Sequence, residues 1–390
     1  MKKEPRLIKT LKLLNKAEIR QFRDYVKSPF FNKNPKLIKL TAYLIKLYPE
    51  FPAKKLDKKT IFKVLYGNEE PYNEQQVHDH FSLLVRLAED FFTQIGFERD
   101  ETGRNIYLLE ELRRRNAKKD FRKLYQRTID KVEEKEIRDS GFYLQMHRIQ
   151  QMGEAFSGQI KNRDGGPLLQ AQVNNLDMFY LSSKLKASCE MLNRKNIINA
   201  AYHSEMEAEL LEYLAGENYY SCIPSISIYH KIYLTLAEPE KEEHFYDLVK
   251  LLSENVNRFH RSEAYNMYAY AQNYCIKQIN RGKKEFLQEL FHIYQQLLAA
   301  EILLDSGVLA HEHYKNIITV GLRLKEYSWT QDFLENYREF LAPEYRENAY
   351  NYNLSAIYYE RGQYTEAMRF LNRVQFSDVY YHLSAKSILL

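Results

Sequence analysis

The sequence predicts an all-α protein, and three observations carry that reading. Six of the ten prolines, Pro5, Pro29, Pro35, Pro49, Pro52 and Pro71, are crowded at the start, and only Pro167, Pro224, Pro239 and Pro343 follow. With 13 glycines in the chain, long stretches are free of both helix breakers, which permits long helices. Apolar residues recur at spacings of three and four, while β-branched runs alternating with period two, the mark of a strand, are absent.

The elements follow in order from their punctuation. Leu13 to Val26 reads as one helix, with Leu14, Ala17, Phe22, Tyr25 and Val26 near helical spacing. Ser28-Pro29 ends it, because the residue before a proline is pushed out of the α region. Asn34-Pro35 reads as a cap with proline in the first turn, and Leu37, Leu40, Leu44 and Leu47 continue one face. Pro49 and Pro52 bracket a loop, and Asp57 caps a helix through Leu65. Gly67 to Pro71 is a turn. Asn73 and Gln76 then resemble a capping box ahead of the stripe Val77, Phe81, Leu84, Leu87, Ala88 and Phe91. Gly96 and the polar run Arg99 to Gly103 mark a boundary.

Residues 104–160 read as two helices. The first carries Arg113-Arg114-Arg115; the second, from about Asp120, has a face of Phe121, Leu124, Tyr125, Ile129 and Val132. Gly158 to Pro167 is a connecting loop, without the lysine and glycine spacing of a phosphate cradle. Helices are then expected at 168–193, 196–215, 225–236, 241–259, 263–280, 284–304, 309–326, 330–341, 344–360 and 365–374. Their short loops favour antiparallel neighbours. The expected domains are a basic helical head, 1–103, a helical bridge, 104–164, and a helical array, 165–390.

Composition narrows the function classes. Hydrophobic residues make up 45% of 390 and charged residues 28%, and no apolar run reaches the ~18 residues of a membrane span. The start, Met1-Lys-Lys-Glu-Pro-Arg6, lacks the features of a signal peptide, so a cytoplasmic protein is expected. Cys189, Cys222 and Cys275 are far apart and form no C-x-x-C pair, which argues against a disulfide framework or a zinc site. The net charge of +5 is uneven: residues 1–65 hold 18 Lys/Arg against 5 Asp/Glu, and the remainder is mildly acidic.

The end of the array carries a motif. Asn353 to Val374 reads NLSAIYYERGQYTEAMRFLNRV. This segment resembles a tetratricopeptide repeat, with Leu354 and Tyr358 on its first helix, Gly362 and Tyr364 at the turn, and Ala367 on its second helix. Asn351 stands where the family has tryptophan, Ser355 follows the leucine, and Val379 occupies the place of the closing proline. Tyr327 precedes Tyr364 by 37 residues and Ile317 precedes Leu354 by the same offset, close to the family period of ~34. Gly282, before Phe286 and Phe291, is a further echo. Leu383-Ser-Ala385 repeats Leu354-Ser-Ala356, so the array is expected either to continue past Leu390 or to end on a capping helix. The resemblance implies an α-solenoid of antiparallel helix pairs with a groove. The chain also resembles a bacterial family bearing Ser28-Pro-Phe-Phe-Asn32 and Tyr180-Leu-x-x-Lys-Leu-Lys186 segments, a likeness that implies no activity.

Catalytic signals are missing. His78 and His80, like His311 and His313, are two apart and point about 200° apart on a helix, so neither pair shares a face. There is no H-E-x-x-H and no G-x-S-x-G. No catalytic residue, cofactor site or metal site is expected. Tyrosine is abundant, at 32 residues. Many of these rings are expected to pack between helices, and some to face the groove. On the helix Leu176 to Asn193, Leu181, Leu185 and Leu192 face inward, while Tyr180, Lys184 and Arg194 line another side, with Glu190 four residues before Arg194. Together with Tyr270, Tyr274 and Tyr314 these form the expected partner-binding set. The expected function is a non-catalytic scaffold that takes a protein or peptide in its groove. The rival is nucleic-acid binding by the basic head, residues 1–103, whose segment from Asn73 to Arg86 is similar to a recognition helix.

Overall fold

The computed structural model describes residues 4–159, 166–216 and 218–374, and among these it contains eighteen α-helices and one two-stranded hairpin. The chain divides into two compact units, Met1–Ala117 and Lys118–Leu390.

The first unit holds α1 (Arg6–Lys12), α2 (Glu18–Lys27), α3 (Pro35–Ile45), α4 (Lys58–Tyr66), α5 (Glu74–Arg99) and α6 (Glu101–Arg114). Its core joins Leu7, Phe22, Leu40, Ile61, Leu84 and Phe91. Asn34, Asp57 and Asn73 accept hydrogen bonds from the first-turn N–H groups of α3, α4 and α5, as their sequence contexts suggest. The single helix expected from Leu13 is instead broken. Asn15 accepts from the Glu18 amide at 2.9 Å and Glu18 answers the Asn15 amide at 3.0 Å, a reciprocal cap that starts α2 and leaves Leu13 in water. The boundary expected at residue 103 falls inside α6. Asp100 accepts from the Gly103 amide at 2.8 Å, so a new helix starts at once at the expected boundary.

The second unit holds α7 (Lys118–Glu133), α8 (Ser140–Gln159), α9 (Gly166–Ile198), α10 (Glu207–Ala215), α11 (Pro224–Ala237), α12 (Glu242–Asn255), α13 (Arg261–Asn280), α14 (Phe286–Ala299), the hairpin β1 (Leu304–Asp305) and β2 (Val308–Leu309), α15 (His311–Arg323), α16 (Tyr327–Tyr337), α17 (Pro343–Glu360) and α18 (Tyr364–Leu371). From α7 to α9, and again from α11 to α18, each helix packs on the next; α9 also packs on α11, α11 on α13, and α15 on α17. One large core of buried residues runs from Tyr143 to Val374. The helix expected over 196–215 is two. Asn199 and Met206 take left-handed backbone angles, φ 54° and 62°, so α9 ends at Ile198 and α10 starts afresh. Most of the expected loop from Gly158 to Pro167 lies outside the described residues, as do Leu383-Ser-Ala385 and Val379.

The turn between α17 and α18 shows how the segment around Gly362 folds. Gly362 has φ 73°, its N–H donates to the Tyr359 carbonyl at 2.9 Å, and the Gln363 N–H donates to the Tyr358 carbonyl at 2.9 Å. This paired closure needs a left-handed residue at its centre. Leu354, Ala367 and Leu371 are buried, and the Tyr358 ring stacks on Phe370 at 5.5 Å. Tyr364 instead stays exposed, edge-on to Tyr359. The same closure recurs at Gly282, with the Lys283 N–H on the Gln278 carbonyl, and at Lys325, with the Glu326 N–H on the Gly321 carbonyl.

Candidate functional site

Three helices of the second unit bring polar stripes together around a cleft of about 440 Å³. On α9, Lys186, Glu190 and Arg194 follow at intervals of four, one turn each, so they share a face. On α13, Glu263, Asn266, Tyr270 and Asn273 follow at intervals of three and four with the same result. Tyr229 comes between them from α11.

The cleft's charges neutralise one another in two nodes of the same design. Glu263, 9% exposed, accepts from Lys186 Nζ at 2.8 Å and from the Tyr229 hydroxyl at 2.6 Å. Glu190 accepts from Arg194 Nε at 2.6 Å and from the Tyr270 hydroxyl at 3.0 Å. Each carboxylate is therefore held by one cation and one phenol. Burial, together with Glu263, pushes the Tyr229 phenol far up from its ordinary value. Burial and the hydrogen bond to Glu190 do the same for Tyr270. Both phenols stay protonated donors throughout the physiological range. Cys189, beneath this surface, donates its thiol to the Tyr229 carbonyl at 3.1 Å, and burial pushes its thiol up, away from the reactive thiolate.

Three amides complete the lining. Asn193, Asn266 and Asn273 border the cleft, and their side chains make no hydrogen bond among the described residues. An amide offers a donor and an acceptor side by side, so the cleft combines neutralised charge with unused, uncharged hydrogen-bonding capacity. Asn266 also lines a second hollow, of about 690 Å³, formed with Arg261, Tyr265, Asp305, Val308 and His313. The two hollows thus follow one another along α13. In the second, the Tyr265 hydroxyl and His313 Nε2 are 3.2 Å apart, and burial lowers the His313 pKa.

The six expected partner-binding residues separate. Arg194 and Tyr270 meet at Glu190. Tyr180 is exposed on another flank of α9, after the exposed Leu169, Val173 and Leu176, with its hydroxyl 3.9 Å from Met206 Sδ. Lys184 is half-buried and does not line the cleft; Lys186, two residues on, does. Tyr274 and Tyr314 are buried braces that reach no groove. The Tyr274 hydroxyl donates to the Pro239 carbonyl at 2.8 Å, and that of Tyr314 to the Leu334 carbonyl at 2.6 Å. Tyr274 turns inward because it lies one position past the exposed Asn273, and its ring stacks on Phe245 at 4.9 Å. Sequence reading missed Lys186, Tyr229 and Glu263. The fourfold spacing of Lys186, Glu190 and Arg194 was the available signal for the first; the other two are brought in by helix packing.

Other histidines have separate surroundings. The His311 ring stacks on Tyr345 at 4.3 Å while His313 faces Tyr265, so this pair diverges as its spacing implies. Among the described residues no group of three or more His, Cys, Asp or Glu could hold a metal ion, and no helix is long and apolar enough to cross a membrane. No family model, curated protein or solved structure matches this chain.

Proposed function

We propose that the second unit is a tetratricopeptide-like α-solenoid of antiparallel helix pairs, and that the protein is a non-catalytic scaffold binding a protein or peptide along α9, α11 and α13. The observation that carries the reading is the cleft itself. Its ionic groups are satisfied internally, and Asn193, Asn266 and Asn273 are left to recognise an uncharged, amide-rich surface. The repeat reading is supported by equivalent positions 37 residues apart: Ile317 and Leu354 are both buried, Lys325 and Gly362 are both left-handed turn centres, and Thr330 and Ala367 are both buried on the following helix. Three unpaired thiols, with Cys222 exposed, fit a reducing compartment and hence the cytoplasm. Phosphate binding by the head is less well supported, because the solvent face of α5 presents Asp79, Glu89 and Asp90 beside Arg86.

A photo-crosslinking residue placed at Asn266 in the full chain, expressed in its source cell, tests the reading. A discrete protein adduct at Asn266, absent when the crosslinker stands at the exposed Lys250, is the expected result. Adducts to nucleic acid, or equal labelling at both positions, would overturn it.

A further inference from the structure

The first unit holds a feature that the cleft reading does not use. Between α2 and α3 the chain makes a tightly held loop. The buried Asn32 donates through Nδ2 to the Val26 carbonyl at 2.9 Å and to the Asn34 carbonyl at 3.2 Å, and its Oδ1 accepts from the Asn34 amide at 2.9 Å. Phe31 is stacked on Tyr25 with ring centroids 4.1 Å apart. Phe30, packed only edge-on against Phe31, is 86% exposed. A large aromatic ring held in water by an ordered loop costs solvation free energy that a partner would recover.

The loop forms one wall of a groove of about 610 Å³, and α5 forms the other. Leu83 and Leu87, one turn apart on α5, give that wall an apolar ridge, and Leu83 is exposed. Lys33 and Arg86 stand on opposite sides of the groove, exposed and with no ion-pair partner among the described residues. Lys33 lies within the first 65 residues, which hold 13 more basic than acidic side chains; Arg86 lies beyond them, on α5. Asp90 borders the groove as well, so the lining carries two cations against one anion, and the apolar ridge beside them offers nothing to a continuous phosphate backbone.

We propose that this groove docks an acidic amphipathic helix of another protein. Apolar side chains of that helix cover Phe30, Phe31 and Leu83, and its carboxylates pair with Lys33 and Arg86. The ridge of residues four apart suits a helix laid across it. The two unpaired cations on the rim set the sign of the partner's charge. This inference is independent of the cleft in the second unit.

Fluorescence anisotropy with the full chain tests it. The probe is a fluorescein-labelled 16-residue peptide with leucines at i, i+3, i+4 and i+7 spacing and glutamates on its remaining face; its twin with lysines for glutamates and a 20-nucleotide oligothymidylate are the comparisons. Saturable micromolar binding of the acidic peptide alone is expected. Phe30→Ala and Arg86→Glu should each weaken it by about tenfold, the usual loss for an interface anchor, while Lys250→Glu leaves it unchanged. Phe30 is exposed, so its truncation should not alter the melting curve. Equal binding of the acidic and basic peptides overturns the proposal, as does no saturation of the acidic peptide below about 1 mM or indifference to Phe30→Ala. Oligothymidylate binding lost in Arg86→Glu would assign the groove to nucleic acid and equally overturn it.

Discussion

Replacing Glu263 tests the design of the cleft most directly. In Glu263→Ala the Tyr229 hydroxyl loses its carboxylate partner in a position only 3% exposed. An unsatisfied buried donor costs about 1–3 kcal/mol. Lys186, with its side chain 47% exposed, can turn to water, so its lost ion pair adds less than about 1 kcal/mol. Removing a buried carboxylate also returns part of its desolvation cost. The net expectation is a loss of about 2 kcal/mol. Tyr229→Phe leaves Glu263 held by Lys186 alone and should cost about 1.5–3 kcal/mol, the range for a hydrogen bond to a charged group. Combined, the two substitutions remove one shared bond. The double variant should therefore cost less than the sum of the singles by more than about 1 kcal/mol. Trp329, the only tryptophan, packs edge-on to Phe291 at 4.6 Å and reports on the second unit during urea unfolding. With a slope of about 3 kcal/mol/M, a loss of 2 kcal/mol moves the midpoint by about 0.7 M. Strict additivity of the two single substitutions would refute the shared-carboxylate node.

Two further outcomes are expected. A Cβ on Gly321 would lie 2.3 Å from the Oγ1 of the buried Thr330. Gly321→Ala should therefore destabilise by about 1 kcal/mol, because overpacking of about 1–3 kcal/mol outweighs the helix preference of alanine. Thr330→Ala in the same chain should restore part of that loss in urea titrations, and a Gly321→Ala variant more stable than the parent would sink the argument. The second outcome concerns alkali. Burial pushes the phenols of Tyr220, Tyr233, Tyr268 and Tyr350 up to about 12 from an ordinary 10.0. The folded chain thus keeps protons that the unfolded chain releases, and this contribution is complete below pH 10 and lost between pH 10 and about 12. The Trp329 urea midpoint should hold level to pH 9 and fall above 10; a fall that begins below pH 9 would contradict the assignment.

Helix existence was largely legible in the sequence because its signals are local. Asn34-Pro35, Asp57 and Asn73 satisfy the amides of the turn that follows them, and no distant contact is needed to make them caps. The failures were also local but ambiguous. Asn15 and Glu18 cap each other only once the chain has bent, and Asn199 and Met206 take left-handed angles that neither residue demands. Gly362 was readable because a left-handed turn favours glycine, whereas its counterpart Lys325 was not, since lysine gives no such sign.

The candidate site divides in the same way. By itself the sequence determined that this chain is a run of helices, that Glu190 and Arg194 stand one turn apart on one of them, and that a basic segment precedes a mildly acidic one. Those properties depend on helical period and composition. Only the tertiary structure decided that Glu263 and Tyr229 complete the ionic nodes, that Tyr270 looks into the cleft while Tyr274 and Tyr314 brace the core, and that Phe30 stands in water on the loop that walls the groove of Lys33 and Arg86. A tyrosine carries the same ring and hydroxyl in either setting. What separates a surface tyrosine from a buried one is which neighbouring helix lies across it, and that contact is made between residues tens of positions apart.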